Sequence, residues 1–159
     1  MTANDEFFMN EALLEAKKAF IVGEVPVGAV IVHSGKILVR SHNLVESLQD
    51  ASKHAELACM QKAAEILQNW RLLGCTLYCT LEPCSMCAGA MLLFRIPRLV
   101  WGAPDVRHGA NGSFVDLFSK THPTHTIDIT SGVLQDECSH IIKEFFQKRR
   151  MESNVRESL

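Results

Sequence analysis

Two short segments of this 159-residue chain carry side chains whose types and spacing suit metal-assisted hydrolysis. The first is His54-Ala55-Glu56 and the second is Pro83-Cys84-Ser85-Met86-Cys87. One imidazole and two thiolates are ligands that zinc favours. Three protein ligands leave a fourth tetrahedral position for a water or hydroxide, which marks a catalytic centre rather than a structural one. Two thiolates and a neutral imidazole bring the site close to neutral, and the metal still lowers the pKa of its water. Glu56 is not a ligand on this reading; it takes a proton from the water and passes it to the substrate. A structural site would need a fourth protein ligand, for which Cys59, Cys75 and Cys79 are candidates.

These residues need particular elements to hold them. Cys84 and Cys87 lie three apart and share a helix face. Pro83 suits a helix start, and the dipole of a first turn favours thiolates. His54 and Glu56 lie two apart, which in mid-helix separates them by about 200°. At a first turn, side chains tilt back towards the N-terminus and both can face one site. The spacing therefore requires two helix N-termini to converge on one metal.

Ala55 to Leu67 reads as one of those helices and Ser85 to Phe94 as the other. Upstream, Phe8, Ala12, Ala16 and Phe20 recur every four residues in an amphipathic helix that ends near Gly23. Val25 to Val32 and Ile37 to Arg40, joined by the turn His33-Ser34-Gly35-Lys36, read as an antiparallel hairpin. A polar stretch, Ser41 to Lys53, leads to His54. Cys75 to Leu81 and Arg98 to Gly102 read as strands, Ala103 to Gly112 as a polar loop, and Ile127, Ile129 and Val133 as a last strand or turn. Cys138, Ile141, Ile142, Phe145 and Phe146 follow i, i+3, i+4, i+7, i+8 and mark a final helix. A hairpin followed by alternating strands and helices implies a mixed sheet with helices on its faces, a three-layer α/β/α domain. Residues 1–151 read as this single domain and 152–159 as a charged tail.

Composition narrows the class. A hydrophobic fraction of 47% is too high for a disordered chain. A net charge of −2 excludes nucleic-acid binding by bulk positive charge, though not a local basic patch. The start of the chain is polar and acidic, and no stretch of 18 apolar residues exists, so the expectation is a cytoplasmic protein with reduced thiols and no membrane span. Cys59, Cys75, Cys79 and Cys138 then read as buried, inert thiols. His122 and His125 read as ordinary loop surface, and His33 and His42 as exposed residues flanking the hairpin.

The ordered pair His-x-Glu, then Pro-Cys-x-x-Cys, is the signature of the zinc nucleobase deaminases. The resemblance extends further. Glu24-Val25-Pro26-Val27-Gly28-Ala29-Val30, His42-Asn43, Thr80-Leu81-Glu82-Pro83-Cys84, Met86-Cys87-Ala88-Gly89-Ala90, Gly112-Ser113, Asp136-Glu137-Cys138 and Phe145-Phe146 all resemble the bacterial tRNA-specific adenosine deaminases. The likeness covers residues 5–151. It implies a cytidine deaminase-like fold with a central mixed five-stranded sheet, and a homodimer. It also implies hydrolytic conversion of the wobble adenosine of an arginine tRNA anticodon to inosine, with release of ammonia. His54, Cys84 and Cys87 would hold one Zn2+ per subunit, with water or hydroxide as fourth ligand. Glu56 would carry protons to the ring nitrogen and then to the leaving amine. Asn43 would hydrogen-bond the substrate; Val27, Ala29 and Asp105 would lie near the flipped base and its neighbours. Lys148, Arg149 and Arg150 would sit near the anticodon stem-loop. Phe146 is a candidate to stack on a base, although Phe145 and Phe146 both fit the apolar stripe. Lys148 to Arg150 also suits a solvated helix end, and Asn43 a turn cap.

The chain departs from the family pattern at Ala51-Ser52-Lys53 and at Pro104-Asp105, where the family often has Pro with small residues and a basic residue, respectively. Neither touches the zinc set; both bear on RNA contacts. Two rival functions keep the motif: deamination of a free nucleoside or base, and a zinc-stabilised RNA-binding module without catalysis. The match beyond the motif favours RNA over the first. Glu56, which has no structural purpose in the sequence, speaks against the second.

Overall fold

Chain order in the computed structural model, which describes residues 3–157, follows the sequence periodicities closely. Helix α1 (Ala3–Ile21) leads into the hairpin β1 (Gly28–His33) and β2 (Lys36–His42). Then come α2 (Val45–Leu48), α3 (Ala55–Leu67), β3 (Cys75–Leu81), α4 (Ser85–Leu93), β4 (Arg98–Ala103), β5 (Asp128–Ser131) and α5 (Gln135–Glu157). The strands form one mixed sheet in the order β2-β1-β3-β4-β5. β1 is antiparallel to β2 and β3, whereas β4 is parallel to β3 and β5.

Alternation along the strands creates the three layers. Ala29, Ile31, Leu77, Cys79, Leu99 and Trp101 face one side, where Cys59 and Met60 of α3 and Cys87 and Met91 of α4 cover them. Val30, Val32, Tyr78 and Val100 face the other, under Met9, Ala12 and Ala16 of α1 and Cys138 and Ile141 of α5. All four cysteines outside the motif are buried and free.

α1 is held down by charge as well as by apolar packing. Asp5, buried, accepts hydrogen bonds from Arg98 Nη1 (2.8 Å), Arg98 Nη2 (3.1 Å) and the Tyr78 hydroxyl (3.0 Å). Arg98 Nη2 also reaches Thr130, so one ionic group joins α1, β3, β4 and β5. Further along, the buried Glu15 carboxylate takes Lys18 Nζ at 2.6 Å and meets His42 Nδ1 at 3.2 Å. His42 is thus half-buried and paired instead of exposed, and His33 is also half-buried. Gly28 lets α1 lie this close, because a Cβ there would fall on the α1 backbone at Ala12 and Ala16.

Apart from shifts of a residue or two at strand ends, the structure differs from the sequence reading in three places. β1 begins at Gly28, after Val25-Pro26-Val27, since Pro26 has no N–H to give to a ladder. α2 interrupts the expected polar stretch. α5 runs on to Glu157, so residues 152–157 continue the helix.

Candidate active site

Strand register brings the functional segments to one rim of the sheet. Gly28 pairs with His42 and Leu81 with Ala103, so the start of β1 and the ends of β2, β3 and β4 lie together. α3 and α4 begin at this rim. His54 is the N-cap of α3 (φ −77°, ψ 149°) and Cys84 the N-cap of α4 (φ −73°, ψ 172°). Neither side chain bonds its own helix end, which leaves both to point beyond it. Cys87 follows in the first turn of α4, as the spacing requires.

His54 Nδ1 lies 3.5 Å from Cys84 Sγ and 3.6 Å from Cys87 Sγ, and all three donor atoms fall within 4.8 Å of one another. A nitrogen and a sulfur sharing a tetrahedral zinc are separated by about 3.5 Å, given the usual bond lengths. The donor set and its spacing therefore fit zinc. The Cys84 thiol is pulled down to about 4, chiefly by a hydrogen bond from Cys87 and then by His54. Cys87 is pushed up by the thiolate it donates to and by burial. Cys84 raises the His54 pKa in return, against burial, which lowers it.

Glu56 sits in the first turn of α3, buried, with Oε2 lacking a hydrogen-bond partner among the described residues. Burial pushes its carboxyl up to about 7. A buried carboxyl with a raised pKa, beside a metal set and lining a cavity, has the features of a general acid–base group.

The cavity has a volume of about 1000 Å³ and is lined by His54, Glu56 and Cys84 together with residues of α2, α4, α5, the end of β3 and the loops between them. Val27, Asn43, Asp105, Phe146 and Arg150 all line it. Asn43 also holds a turn: Nδ2 donates to the Val25 carbonyl (3.3 Å) and Oδ1 accepts from the Val45 amide (3.3 Å). Asp105 Oδ1 accepts from the amides of Arg107 and His108, which shapes the loop beside it. Ala29 lies elsewhere. It is wholly buried towards α3, where its carbonyl accepts a hydrogen bond from Cys59. Arg149 stacks over Phe145, 5.4 Å from the ring centre, beside a small separate hollow. Phe145 is core, and Phe146, 42% exposed, reaches the cavity.

Two buried acids carry structural roles that residue patterns did not reveal. Glu24 accepts the amides of Glu46 (3.1 Å) and Ser47 (2.6 Å), and so caps α2 from a distance. Burial raises its pKa, but the Ser47 and Glu46 hydrogen bonds outweigh that and hold the carboxyl low. Glu82, 1% exposed, accepts the amides of Asp105 (3.0 Å) and Asn111 (2.9 Å). The only signal for either was a charged residue inside an otherwise apolar segment.

The model of the cytidine and deoxycytidylate deaminase zinc-binding region matches residues 2–103. A chloroplastic tRNA(adenine(34)) deaminase of Arabidopsis thaliana is 49% identical over 161 residues; the match covers 91% of this chain and 12% of that much longer protein. A tRNA-specific adenosine deaminase of Bacillus subtilis is 46% identical over 92% of this chain and 91% of its own length. A solved structure from studies of A-to-I editing by wobble-position tRNA deaminases superimposes with a TM-score of 0.81 at 44% identity, covering 85% of this chain and 98% of that one. The chain belongs to the cytidine and deoxycytidylate deaminase family and, within it, to the tRNA-specific adenosine deaminases. It is an enzyme of a zinc-binding family, and among the described residues His54, Cys84 and Cys87 form a group able to hold the ion. No helix among the described residues is long and apolar enough to cross a membrane.

Proposed function

We propose that this protein hydrolyses the wobble adenosine of an arginine tRNA anticodon to inosine and ammonia, in a zinc-dependent reaction. One zinc per subunit would be held by His54, Cys84 and Cys87, with water as the fourth ligand; when bound, it supplies the lowered water pKa that permits attack at neutral pH. Glu56 accepts one proton of the attacking water and delivers it to N1 of the purine as C6 becomes tetrahedral; it then takes the remaining proton from the C6 hydroxyl and passes it to the amine, which leaves as ammonia as the C6 carbonyl forms. Asn43 and Val27 position the base, and Phe146 and Arg150 approach the flanking nucleotides. Anticodon bases are already unpaired, so turning one into the cavity costs little.

The observation that carries this reading is the cavity itself. At about 1000 Å³ it lies at the upper end of small-molecule sites, roughly 300–1,000 Å³, and it admits a nucleotide with its neighbours. Arg107, Lys143 and Arg150 among its lining residues supply cations for phosphates. The names of the Bacillus and Arabidopsis relatives support a tRNA adenosine as the substrate, and the Arabidopsis name position 34. A single domain over residues 1–151, a homodimer and a cytoplasmic location complete the reading, as in the family it resembles.

The test is an assay of zinc-loaded protein on an arginine tRNA with adenosine at the wobble position, beside free adenosine, cytidine and guanine. Inosine in the tRNA, absent with Glu56→Ala, is the expected result. Ammonia from a free nucleoside or base without RNA editing would replace the tRNA assignment.

A further inference from the structure

We propose that Glu82 is a positioning residue for substrate: one buried carboxylate ties both ends of the cavity loop 104–113 to the strand end that carries Cys84. The substrate named in the test rests on the tRNA reading above. Glu82 follows the last residue of β3 and precedes Pro83 and Cys84. Oε2 accepts the Asp105 amide at 3.0 Å and a short hydrogen bond from the Ser113 hydroxyl; Oε1 accepts the amides of Asn111 (2.9 Å) and Ser113 (3.3 Å). The loop fits closely around the group. At Gly109 a Cβ would collide with the Glu82 carboxyl. The Ala110 amide donates to the Pro83 carbonyl at 2.8 Å, and Cys84 and Gly109 form an isolated antiparallel bridge. Trp101 Nε1 adds a bond to Asn111 Oδ1 at 2.8 Å.

A carboxylate buried this deeply is costly unless hydrogen bonds satisfy it, and here three amides and a hydroxyl do so. Those donors come from residues 105, 111 and 113, which flank the exposed segment Val106-Arg107-His108 that lines the cavity. That segment has little packing of its own, so its place is set by its anchors. His54 and Glu56 stand on α3 and Cys87 on α4, whose packing against the sheet supports them; of the set, Cys84 also meets the loop, at Gly109. Glu82 thus governs how substrate fits, and not how bonds are made.

Glu82→Gln keeps the shape but gives up acceptor capacity at one oxygen. Compared with wild type, it is expected to bind zinc at the same stoichiometry. Its KM for an anticodon stem-loop RNA should rise about tenfold, the ratio set by one charge-assisted hydrogen bond. Its kcat should change less than about threefold, because groups that act only in binding leave kcat unmoved. Hydrogen–deuterium exchange at residues 105–113 should accelerate, while α3 and α4 stay protected. Unchanged KM with unchanged loop exchange overturns the proposal, and so does a fall in kcat alone. If Glu82→Gln does not fold, Ser113→Ala is judged by the same two readouts. If wild type leaves the RNA unedited, the tRNA reading fails, and loop exchange in the variant still decides the role of Glu82.

Discussion

At the scale of single residues, Glu56 is distinguished by what it lacks. The other buried acids, Asp5, Glu15, Glu24 and Glu82, are all fully engaged, whereas Glu56 keeps an oxygen without a partner in a wall of the cavity. A side chain placed so suits the proton-carrying role proposed for it. Glu56→Gln retains the shape but cannot carry a proton. Its kcat is expected to fall by about 10²–10⁴-fold, the usual worth of a general acid–base group, with zinc content unchanged by elemental analysis. The grouping of His54 with Cys84 and Cys87 was legible because ligand chemistry demands fixed residue types at short spacing, as in Cys84-x-x-Cys87. Glu24 and Glu82 were not, because each serves backbone amides more than 20 residues away and leaves no local pattern. Asn43 is a turn cap, as its residue type allows, and its side chain also lines the cavity.

At the scale of elements, two acid clusters fasten α1 to the sheet and behave differently. Asp5→Asn takes from Arg98 its buried counter-charge and leaves it only the exposed Asp128 at 3.7 Å. It is expected to lower unfolding free energy by about 3 kcal/mol in urea titrations, as for other buried pairs broken from one side. Glu15 reports on pH. Burial raises its pKa, but hydrogen bonds from Lys18 and His42 outweigh that and hold it below the ordinary 4.5. Its stabilising effect is therefore complete above about 4.5 and is lost as the pH falls through the lower folded value. Melting curves taken between about pH 5 and pH 3 should show a shallower loss for Glu15→Gln than for wild type. Helix identities were legible from period-3.6 stripes and strand identities from short, nearly continuous apolar runs such as Val25 to Val32, since both faces of the sheet are buried. The short α2 was not, because its cap, Glu24, comes from the far side of the hairpin, and α5 outruns its apolar stripe on Arg, Met and Glu, which favour helix without packing.

At the scale of the whole molecule, a net charge of −2 coexists with cations at one cavity. Few phosphates are then neutralised on binding. With three contacts, from Arg107, Lys143 and Arg150, affinity for an anticodon stem-loop should fall with salt at a log–log slope of about −2. Fluorescence anisotropy over a salt series measures it, and a much steeper slope would mean a wider RNA footprint. The sheet's polarity has another effect. Every strand end that builds the cavity lies at one rim, so the Ser34-Gly35 turn, with both residues at positive φ, stands at the other. β1 separates the two by about 20 Å. That turn is a grafting point: a peptide tag or fluorophore-bearing insert between Ser34 and Gly35 should leave catalysis intact, giving a handle for watching single molecules at work on RNA.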